Sequence, residues 1–421
     1  MNFIDRLRGE NAVLSGNFLV LMITWILMYS TQPIPDTYSS KFFVESLGAT
    51  PFLLSVMFFI GSLAIAFVQI PGGYLADKHG RKWLIATMTF GLAAGYLCFM
   101  LAPSWQFIVL GLVIQNLCLI YQPALMAMML DSLHPDKRGT GMNFQSVLMD
   151  LIAIPAPLIA AALVCINGNY DSNGSILGMR IAYSIVLVAY LAAATLRIKL
   201  KETLPTGGNS DRPQIWQAFK NYGTIFWESW QVWKKVPRSA YYILWTTVAT
   251  NGLVVACQIY LVLYATNVLG LSGAQYAVAA AFMLGSPALP ALWIGFRMDS
   301  AGRKRFLILG YVLYIPAMLI FVTADFNLLL LSFFLLGLGN MLRSNSAQVI
   351  LGDLVPREHR GKAVGSLQFL MYLTQAFVYL LVGFLYSYVA TWLPFLLLAA
   401  ASVPLAIVVA LKIPEPNAKE V

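Results

Sequence analysis

Two ionisable residues lie deep within long apolar segments of the sequence, where an isolated charge is costly. Asp150 follows Arg138 by 12 residues and Arg343 precedes Asp353 by 10 residues, so each lies roughly 15–18 Å along a helix from the adjoining charged loop. A carboxylate can take up and release a proton, whereas a guanidinium stays charged and suits an anion. The two residues therefore predict a proton site at Asp150 and an anion site at Arg343, or an ion pair that only joins two helices.

A third acid and a set of uncharged polar residues extend this candidate site. Asp36 follows a Pro-Ile-Pro segment near the far end of the first apolar stretch, where it either binds a proton in a vestibule or is a solvated acid at a helix end. Uncharged polar groups inside apolar segments line a wet cavity or hydrogen-bond between helices. The candidates are Tyr121, Gln122, Tyr372, Asn116 and Asn251.

The segments that must position these residues are long enough to cross a membrane. Of the 421 residues, 59% are hydrophobic and 11% are charged, and the mean hydropathy is +0.73. A soluble domain carries about 25% charged residues, so the composition excludes a soluble, a disordered and a nucleic-acid-binding protein. A bilayer core requires roughly 20 apolar residues per helix. The sequence predicts twelve such spans: 16–42, 51–75, 82–102, 105–130, 139–166, 177–199, 239–267, 273–297, 304–324, 327–351, 361–389 and 391–413.

The basic residues predict the orientation of these spans. Loops that follow even-numbered spans are rich in Lys and Arg, whereas the opposite loops hold only Lys41 and Arg180. Because basic loops stay in the cytoplasm, we expect both termini there and a multi-pass protein of the plasma membrane. The formal net charge of +9 fits these loops.

The spans divide into two halves of six, residues 1–200 and 239–421, with residues 201–238 as a cytoplasmic linker. The linker begins with a Pro-, Gly- and Ser-rich stretch, which is typical of a flexible connection. Residues 213–236 then place Trp, Phe and Tyr at helical spacing, which predicts an amphipathic helix on the inner membrane surface. The simplest role for this helix is to tether the two halves.

An offset of 222 residues relates the two halves. It pairs Tyr121 with Arg343 and Asp150 with Tyr372, so each half carries one ionisable residue and one tyrosine at depth. A repeat of six spans predicts two halves around an axis along the membrane normal, with a solute site near the midplane. The same offset pairs the loop residues Gly73 with Gly295, Asp77 with Asp299, Gly80 with Gly302, Arg81 with Arg303, and Arg138 with Arg360.

The sequence GYLADKHGRK at 73–82 resembles the signature of the major facilitator superfamily between helices 2 and 3. The segment GFRMDSAGRK at 295–304 resembles its second copy, with Ser300 where the family usually has a base. The resemblance extends over the whole chain in span count, loop lengths and repeat. It implies an all-α membrane fold of twelve helices in two six-helix halves. It also implies a cavity lined by spans 1, 4, 7 and 10, in which Tyr121 and Arg343 would face each other.

The resemblance further implies a conformational switch in these loops. In the family the carboxylate at Asp77 meets the start of span 11, near Gly361, and latches the outward-facing state. From the residues themselves, Gly80 and Gly302 permit a tight reversal, and Gly73 permits close approach of a neighbouring helix. The alternative is that the basic residues only set topology. The switch candidates are Gly73, Asp77, Gly80, Arg81, Arg138, Asp299, Gly302, Arg303 and Arg360.

Enzyme chemistry is not predicted for this chain. Its three His residues lie in loops, and it has neither a phosphate-binding Gly-Lys-Ser/Thr loop nor a nucleophile elbow. We expect no cofactor and no metal. Single asymmetric polar residues fit alternating access better than a channel, which needs a ring of like groups.

We therefore predict a secondary active transporter of a small organic solute, and we favour proton-coupled export. An uptake symporter or uniporter for a small organic anion or metabolite remains an alternative, and a channel is the alternative from another class. Drug–proton antiporters of the superfamily carry Gly-Pro-x-x-Gly-Gly in span 5, where this chain has APLIAA at 156–161. The expected partners are a solute, a proton or other ion and the lipid bilayer. We expect a monomer with no nucleic-acid partner.

Thiols introduced at Ser210 and Thr50 are expected to react from opposite sides of the membrane, because the predicted topology places them in the linker and in an outer loop. A membrane-impermeant maleimide applied to sealed vesicles measures this with Ser210→Cys and Thr50→Cys, and the unaltered chain controls for the four native cysteines. Reaction of both variants from one side would contradict the topology.

Overall fold

The protein is built almost entirely of helices. A computed structural model describes residues 16–78, 80–133, 138–166, 169–170, 172–203, 219–220, 222–231, 233, 236–287, 290, 302–354 and 360–413. Within these ranges, eleven helices are long and apolar enough to cross a membrane. A shorter apolar helix, Gly273–Gly285, lies where the eighth span is predicted. The predicted all-α fold with twelve membrane helices is confirmed.

The twelve membrane helices are numbered α1–α12, and most begin and end within a few residues of the predicted spans. Between α5 and α6, β1 (Cys165–Ile166) pairs antiparallel with β2 (Asn169–Tyr170). A linker helix, Tyr222–Gln231, precedes α7. The bounds are α1 Gly16–Thr31 continued by Pro33–Asp36, α2 Pro51–Lys78, α3 Lys82–Leu101, α4 Trp105–Cys118 continued by Leu119–Tyr121 and Gln122–Asp131, α5 Arg138–Ala153 and Ala156–Val164, α6 Ser172–Arg197, α7 Arg238–Asn267, α8 Gly273–Gly285, α9 Arg303–Val322, α10 Phe326–Leu354, α11 Arg360–Phe384 continued by Leu385–Val389, and α12 Leu393–Lys412.

Apolar side chains cover both the interior and the outer surface of this bundle. Leu177, Val188 and Leu411 are each more than 60% exposed, which a water-soluble surface would not sustain in such numbers. In a bilayer these residues contact lipid tails, so the helices are apolar on every side. The face where α1 begins and α12 ends is called the terminal face below, and the opposite one the distal face.

The 222-residue offset reappears in the backbone geometry. Gly48 and Gly270, at the distal face, have φ of 73° and 68°, and Gly80 and Gly302, at the terminal face, have φ of 91° and 92°. The hydrogen bond from Ala49 N to Phe43 O (3.0 Å) has its counterpart 222 residues later, from Leu271 N to Ala265 O (3.0 Å). The same turns therefore end corresponding helices in the two parts of the chain.

The linker helix packs into the bundle instead of only lying on the membrane surface. The Phe67 ring on α2 stacks on Phe219 and Tyr222, with centroids 5.2 and 5.5 Å apart. Trp233 is 1% exposed, and its Nε1 donates a hydrogen bond to Ser366 Oγ on α11 (2.7 Å). Residues 204–218 of the predicted linker lie outside the described ranges. The described part connects α2 with α11 through aromatic side chains.

Replacing Gly80 or Gly302 by Ala is expected to destabilise the protein by about 1–2 kcal/mol, because a side chain is strained at positive φ. Gly365→Ala is the matched control. Gly365 lies within α11, a Cβ there would meet no atom within 4 Å, and Ala is the better helix former. Thermal unfolding in detergent measures all three variants, and equal melting temperatures for Gly80→Ala and Gly365→Ala would contradict the expectation.

Candidate functional site

Three helices of the first half are interrupted along their length. α1 pauses before Pro33, α4 passes through a 3-10 turn at Leu119–Tyr121, and α5 breaks at Ile154–Pro155. Proline contributes to each break, since it donates no backbone hydrogen bond. Irregular backbone at membrane depth is tolerated where it is buried in protein or lines a cavity. The corresponding helices α7, α10 and α11 run without such breaks, so these irregularities are concentrated in the first half.

Five predicted or neighbouring residues of α1, α4, α5 and α11 lie within electrostatic or hydrogen-bonding range of at least one other member of the group. Tyr29 on α1 is 43% exposed and lies within electrostatic range of Asp150 and Tyr121. It is also within range of Tyr372 on α11, whose hydroxyl is within hydrogen-bonding reach of Gln122. The structure thus brings together four of the sequence candidates, Tyr121, Gln122, Asp150 and Tyr372, around Tyr29.

Gln122 is held in place by a second amide. Gln69 on α2 is 2% exposed, and its Nε2 donates to Gln122 Oε1 (2.9 Å). This bond occupies the Gln122 carbonyl and leaves its NH2 group for Tyr372. Nothing in the sequence distinguishes Gln69, because a lone amide in an apolar span is more often a packing residue.

Asp150 is exposed on α5. The salt bridges among the described residues are Lys41–Glu45 and Arg81–Asp131, so neither includes Asp150. The ion pair of Asp150 with Arg343, which is the alternative to separate proton and anion sites, is therefore not among these salt bridges. A carboxylate at this depth without a basic partner is stable only beside water or as the neutral acid.

Arg343 lies inside the second half instead of facing the first. It is 4% exposed, its Nε donates to Tyr314 Oη and its Nη2 donates to Asn340 Oδ1, both at 3.1 Å. A Cβ at Gly310 would lie 2.7 Å from the Arg343 backbone nitrogen, so this glycine lets α9 and α10 touch. The close approach turns Arg343 toward the α9 tyrosines, which is why the predicted position opposite Tyr121 is wrong for this structure.

A second buried arginine, Arg197 on α6, was not selected from the sequence. It is 0% exposed, its Nη1 donates to Thr89 Oγ1 (2.8 Å) and Tyr121 Oη (3.4 Å), and its Nε donates to Thr24 Oγ1 (3.2 Å). Its guanidinium also lies 5.6 Å from the Tyr121 ring centroid. Near the end of a predicted span, Arg197 resembled a loop residue, and only its helix neighbours show that it is internal.

Asp36 lies at the end of α1 and is exposed. Gln32 Nε2 donates to its Oδ2 (3.4 Å), and Gln32 Oε1 accepts from Tyr190 Oη (2.9 Å). Tyr96 and Tyr183, on α3 and α6, lie within electrostatic range of the carboxylate. Asp36 is therefore surrounded by polar groups of the first half, and one of them, Tyr190, is also within electrostatic range of Tyr121.

The remaining two candidates are the asparagines Asn116 and Asn251. Asn116 Nδ2 donates to Leu112 O (2.8 Å) within α4, and a Cβ at Gly61 on α2 would lie 3.0 Å from this nitrogen. This contact is a packing position between α2 and α4. Asn251 on α7 is half-buried and is the repeat counterpart of Tyr29 at the 222-residue offset.

Near the distal face, Lys41 joins the two halves. It is 5% exposed, and its Nζ contacts Glu45 Oε1 (2.7 Å), Thr266 Oγ1 (2.9 Å) and Asn267 Oδ1 (2.7 Å). Asn267 Nδ2 donates to Glu45 Oε1 (2.8 Å), which completes the network. We call Lys41, Glu45, Thr266 and Asn267 the distal clamp.

Two tyrosines reinforce the distal clamp with bonds to backbone carbonyls of the other half. Tyr38 Oη donates to Gly273 O (2.6 Å) and Tyr260 Oη donates to Pro51 O (2.7 Å). Each acceptor is the carbonyl of the first residue of a helix, Gly273 of α8 and Pro51 of α2. Together with the clamp, they hold the two halves against each other at the distal face.

The predicted switch loop between α2 and α3 forms a compact network at the terminal face. Arg81 Nη1 contacts Asp131 on α4 and donates to Thr203 Oγ1 (3.0 Å). The backbone nitrogens of Arg81 and Lys82 donate to Glu202 Oε2 (2.9 and 3.0 Å). Glu202, which the sequence did not single out, therefore caps the start of α3.

One switch residue has a different role from the predicted one. A Cβ at Gly73 would meet no atom within 4 Å, whereas a Cβ at Gly72 would collide with Ile120 O. Gly72 is thus the residue that lets α2 approach α4, and the prediction for Gly73 is wrong.

The other switch candidates lie at helix ends. Arg303, Arg138 and Arg360 are the first residues of α9, α5 and α11. The side chains of Asp77, Arg138 and Arg360, and all of Gly295 and Asp299, lie outside the described part.

A family model described as Major Facilitator Superfamily matches residues 13–292 and 275–421. The chain belongs to the major facilitator superfamily. It is therefore a multi-pass membrane transporter with a small-molecule substrate, and it is not an enzyme.

Its relatives include an uncharacterized protein of Mycobacterium tuberculosis (strain ATCC 25618 / H37Rv), 23% identical over 326 residues, which cover 76% of this chain and 75% of that protein. The inner membrane transport protein YajR of Escherichia coli (strain K12) is 31% identical over 147 residues, 35% of this chain and 31% of YajR. Its fold is similar to that of a mutant nucleoside transporter NupG, with a TM-score of 0.73 at 15% identity over 95% of this chain and 100% of that one. It is also similar to a peptide transporter POT in complex with sulfate, with a TM-score of 0.69 at 16% identity over 94% and 93%.

A double-mutant cycle distinguishes the observed partners of Arg343 from the predicted one. Arg343→Gln with Tyr314→Phe is expected to show a coupling of about 1 kcal/mol, since the two side chains are in contact. Arg343→Gln with Asp150→Asn is expected to be additive within about 0.5 kcal/mol. Thermal unfolding in detergent supplies the values, and recovery of stability in the Asp150→Asn, Arg343→Gln double variant would show that the two charges are paired after all.

Proposed function

We propose that this transporter exports a small organic compound in exchange for protons, with Asp150 as the proton-binding residue. The observation that carries the proposal is the placement of Asp150: it is exposed, it lies in neither salt bridge of the described residues, and it is in range of Tyr29. A lone carboxylate in a membrane interior is a functional site by default. Asp36, also exposed, is the second proton candidate.

The polar groups of the cluster favour a solute that is cationic or rich in hydrogen-bond donors. Asp150 supplies a negative charge, and the tyrosine hydroxyls and the Gln122 amide supply neutral hydrogen bonds beside aromatic rings. Arg343, the candidate anion anchor, is buried against Tyr314 and Asn340. This burial counts against the alternative of an organic-anion symporter or uniporter.

Protonation and solute binding at Asp150 would then exclude each other. The ionised carboxylate attracts a cationic solute, whereas the protonated form no longer carries the charge that holds it. Competition of this kind couples an inward proton flow to outward movement of the solute. The cycle requires that the two halves, residues 1–200 and 239–421, rock about the site while residues 201–238 connect them.

The distal clamp supports a state in which the site is closed toward the distal face. The basic loops favour an orientation with the terminal face in the cytoplasm, and we propose the plasma membrane as the location. The conformation described here is then the inward-facing one, in which a cytoplasmic solute reaches Asp150. A single chain contains both halves of the cavity, so we propose that the monomer is the working unit.

A transport assay tests the proton coupling. A mixed library of organic cations and anions is first screened by thermal shift on the purified protein, and a compound that binds is used in proteoliposomes. Its transport is expected to follow an imposed pH gradient in wild type, and Asp150→Asn is expected to abolish that response. Asp325→Asn is the matched control, because Asp325 Oδ1 only caps α10 through Leu328 N (2.8 Å) and Asn caps equally well.

Two results would reject parts of this proposal. Transport that ignores the pH gradient in both wild type and Asp150→Asn would indicate a uniporter. A screen in which only anions bind, with loss of binding in Arg343→Gln, would favour the organic-anion alternative.

A further inference from the structure

The contact between α2 and α11, which we call the seam, is tight near the distal face. Phe52 packs against Tyr388 with ring centroids 5.5 Å apart, and Phe58 packs against Tyr379 at 5.4 Å. A Cβ on Gly383 would collide with the Ser55 side chain. The two helices therefore touch directly over this part of their length.

Toward the terminal face the same seam is filled by aromatic residues of the linker. Phe67 on α2 stacks on Phe219 and Tyr222 instead of on α11. Phe369 on α11 meets the edge of Phe226 of the linker helix at 5.4 Å. Near the distal face, rings of α2 and α11 contact each other directly. Toward the terminal face the linker helix lies between the two helices, so the seam is wider there.

An apolar groove of about 500 Å³ remains between the widened seam and the linker helix. Tyr222 forms its linker wall. Its other lining residues, all apolar, are Leu63, Ala64, Ala66 and Phe67 of α2 and Phe369 and Leu373 of α11.

The depth of the groove decides what can fill it. Phe67 lies 11 residues before Lys78, about 16 Å along α2 from its terminal end, and its ring is 51% exposed. At this depth of a membrane protein the surrounding medium is hydrocarbon. A groove without charged walls that opens into hydrocarbon fits an acyl chain.

The charge around the groove favours an anionic headgroup. Lys220 adjoins Phe219 at the groove and is exposed, as is Arg238 at the start of α7. Residues 213–238 contain four basic residues and one acid. Basic side chains near a membrane surface attract acidic lipids, and a long Lys side chain can reach up to a phosphate while its stem stays in apolar surroundings.

We propose that the groove between α2, α11 and the linker helix binds one acyl chain of an anionic phospholipid, whose phosphate is held by Lys220. None of the groove-lining residues belongs to the Asp150 cluster, and the proposal depends on neither the direction nor the coupling of transport. Because the linker helix forms one wall, a bound lipid stabilises the linker helix against the bundle.

Thermal unfolding of the purified full chain in detergent tests the site. Added phosphatidylglycerol is expected to raise the melting temperature by several degrees, and phosphatidylcholine with the same acyl chains is expected to raise it less. Ala64→Trp, which fills the groove, is expected to remove the phosphatidylglycerol shift. Ala192→Trp, the same substitution at an exposed position of α6, is the matched control and is expected to keep it. Lys220→Gln is expected to make the two lipids equivalent.

Crosslinking gives a second measurement that needs no substitution. Phosphatidylglycerol with a diazirine in its acyl chain is photolysed with wild type, and adducts are expected within residues 63–67 or 369–373. An unchanged shift in Ala64→Trp, equal shifts by both lipids in wild type, or adducts only on other helices would overturn the proposal. Displacement of the lipid by the transported compound would also overturn it, because the groove would then be a solute entry path.

Discussion

The structure depends on one constraint: a polar group at membrane depth must find a protein partner or water. Arg197 and Arg343, which are buried within the spans, meet it mainly with neutral groups. Arg197 bonds to Thr24, Thr89 and Tyr121, with its Nη2 left without a partner among the described residues, and Arg343 bonds to Tyr314 and Asn340. Neither guanidinium forms a salt bridge with an acid of the described residues, and Asp36 and Asp150 belong to neither of the two salt bridges, Lys41–Glu45 and Arg81–Asp131. The proposal that Asp150 binds and releases a proton relies on its lying outside these salt bridges.

The same constraint governs how the halves meet. At the distal face the Lys41 ammonium is shielded from solvent. The free-energy cost of burying this charge is offset by Glu45, four residues further along the chain, and by Thr266 and Asn267 on α7. A buried charged network is costly to break partially but is released as a unit when the halves separate and water enters. The distal clamp therefore suits a contact that must be firm in one state and absent in the other.

The fold is shared much more widely than the site. NupG and POT reproduce this arrangement of helices at 15–16% identity, which shows that the fold tolerates large differences in sequence. Solute choice rests on a few polar residues in the cavity wall, and these are free to differ on a common fold. The breaks in α1, α4 and α5 place such residues in the first half of this chain.

The sequence by itself determined the number of spans, the repeat, the basic loops and the depth of Asp150, because these follow from apolar length and position along a helix. It also placed Gly80 and Gly302 at turns that require positive φ. It could not determine which way Arg343 and Arg197 point, since a helix that is apolar on every side carries no signal for its rotation. That rotation was decided by tertiary contacts: Gly310 draws α9 onto α10 and turns Arg343 toward Tyr314, whereas Gly72, not Gly73, brings α2 onto α4. Side-chain contacts of this kind depend on how closely two helices approach, and that distance is set only when the helices pack.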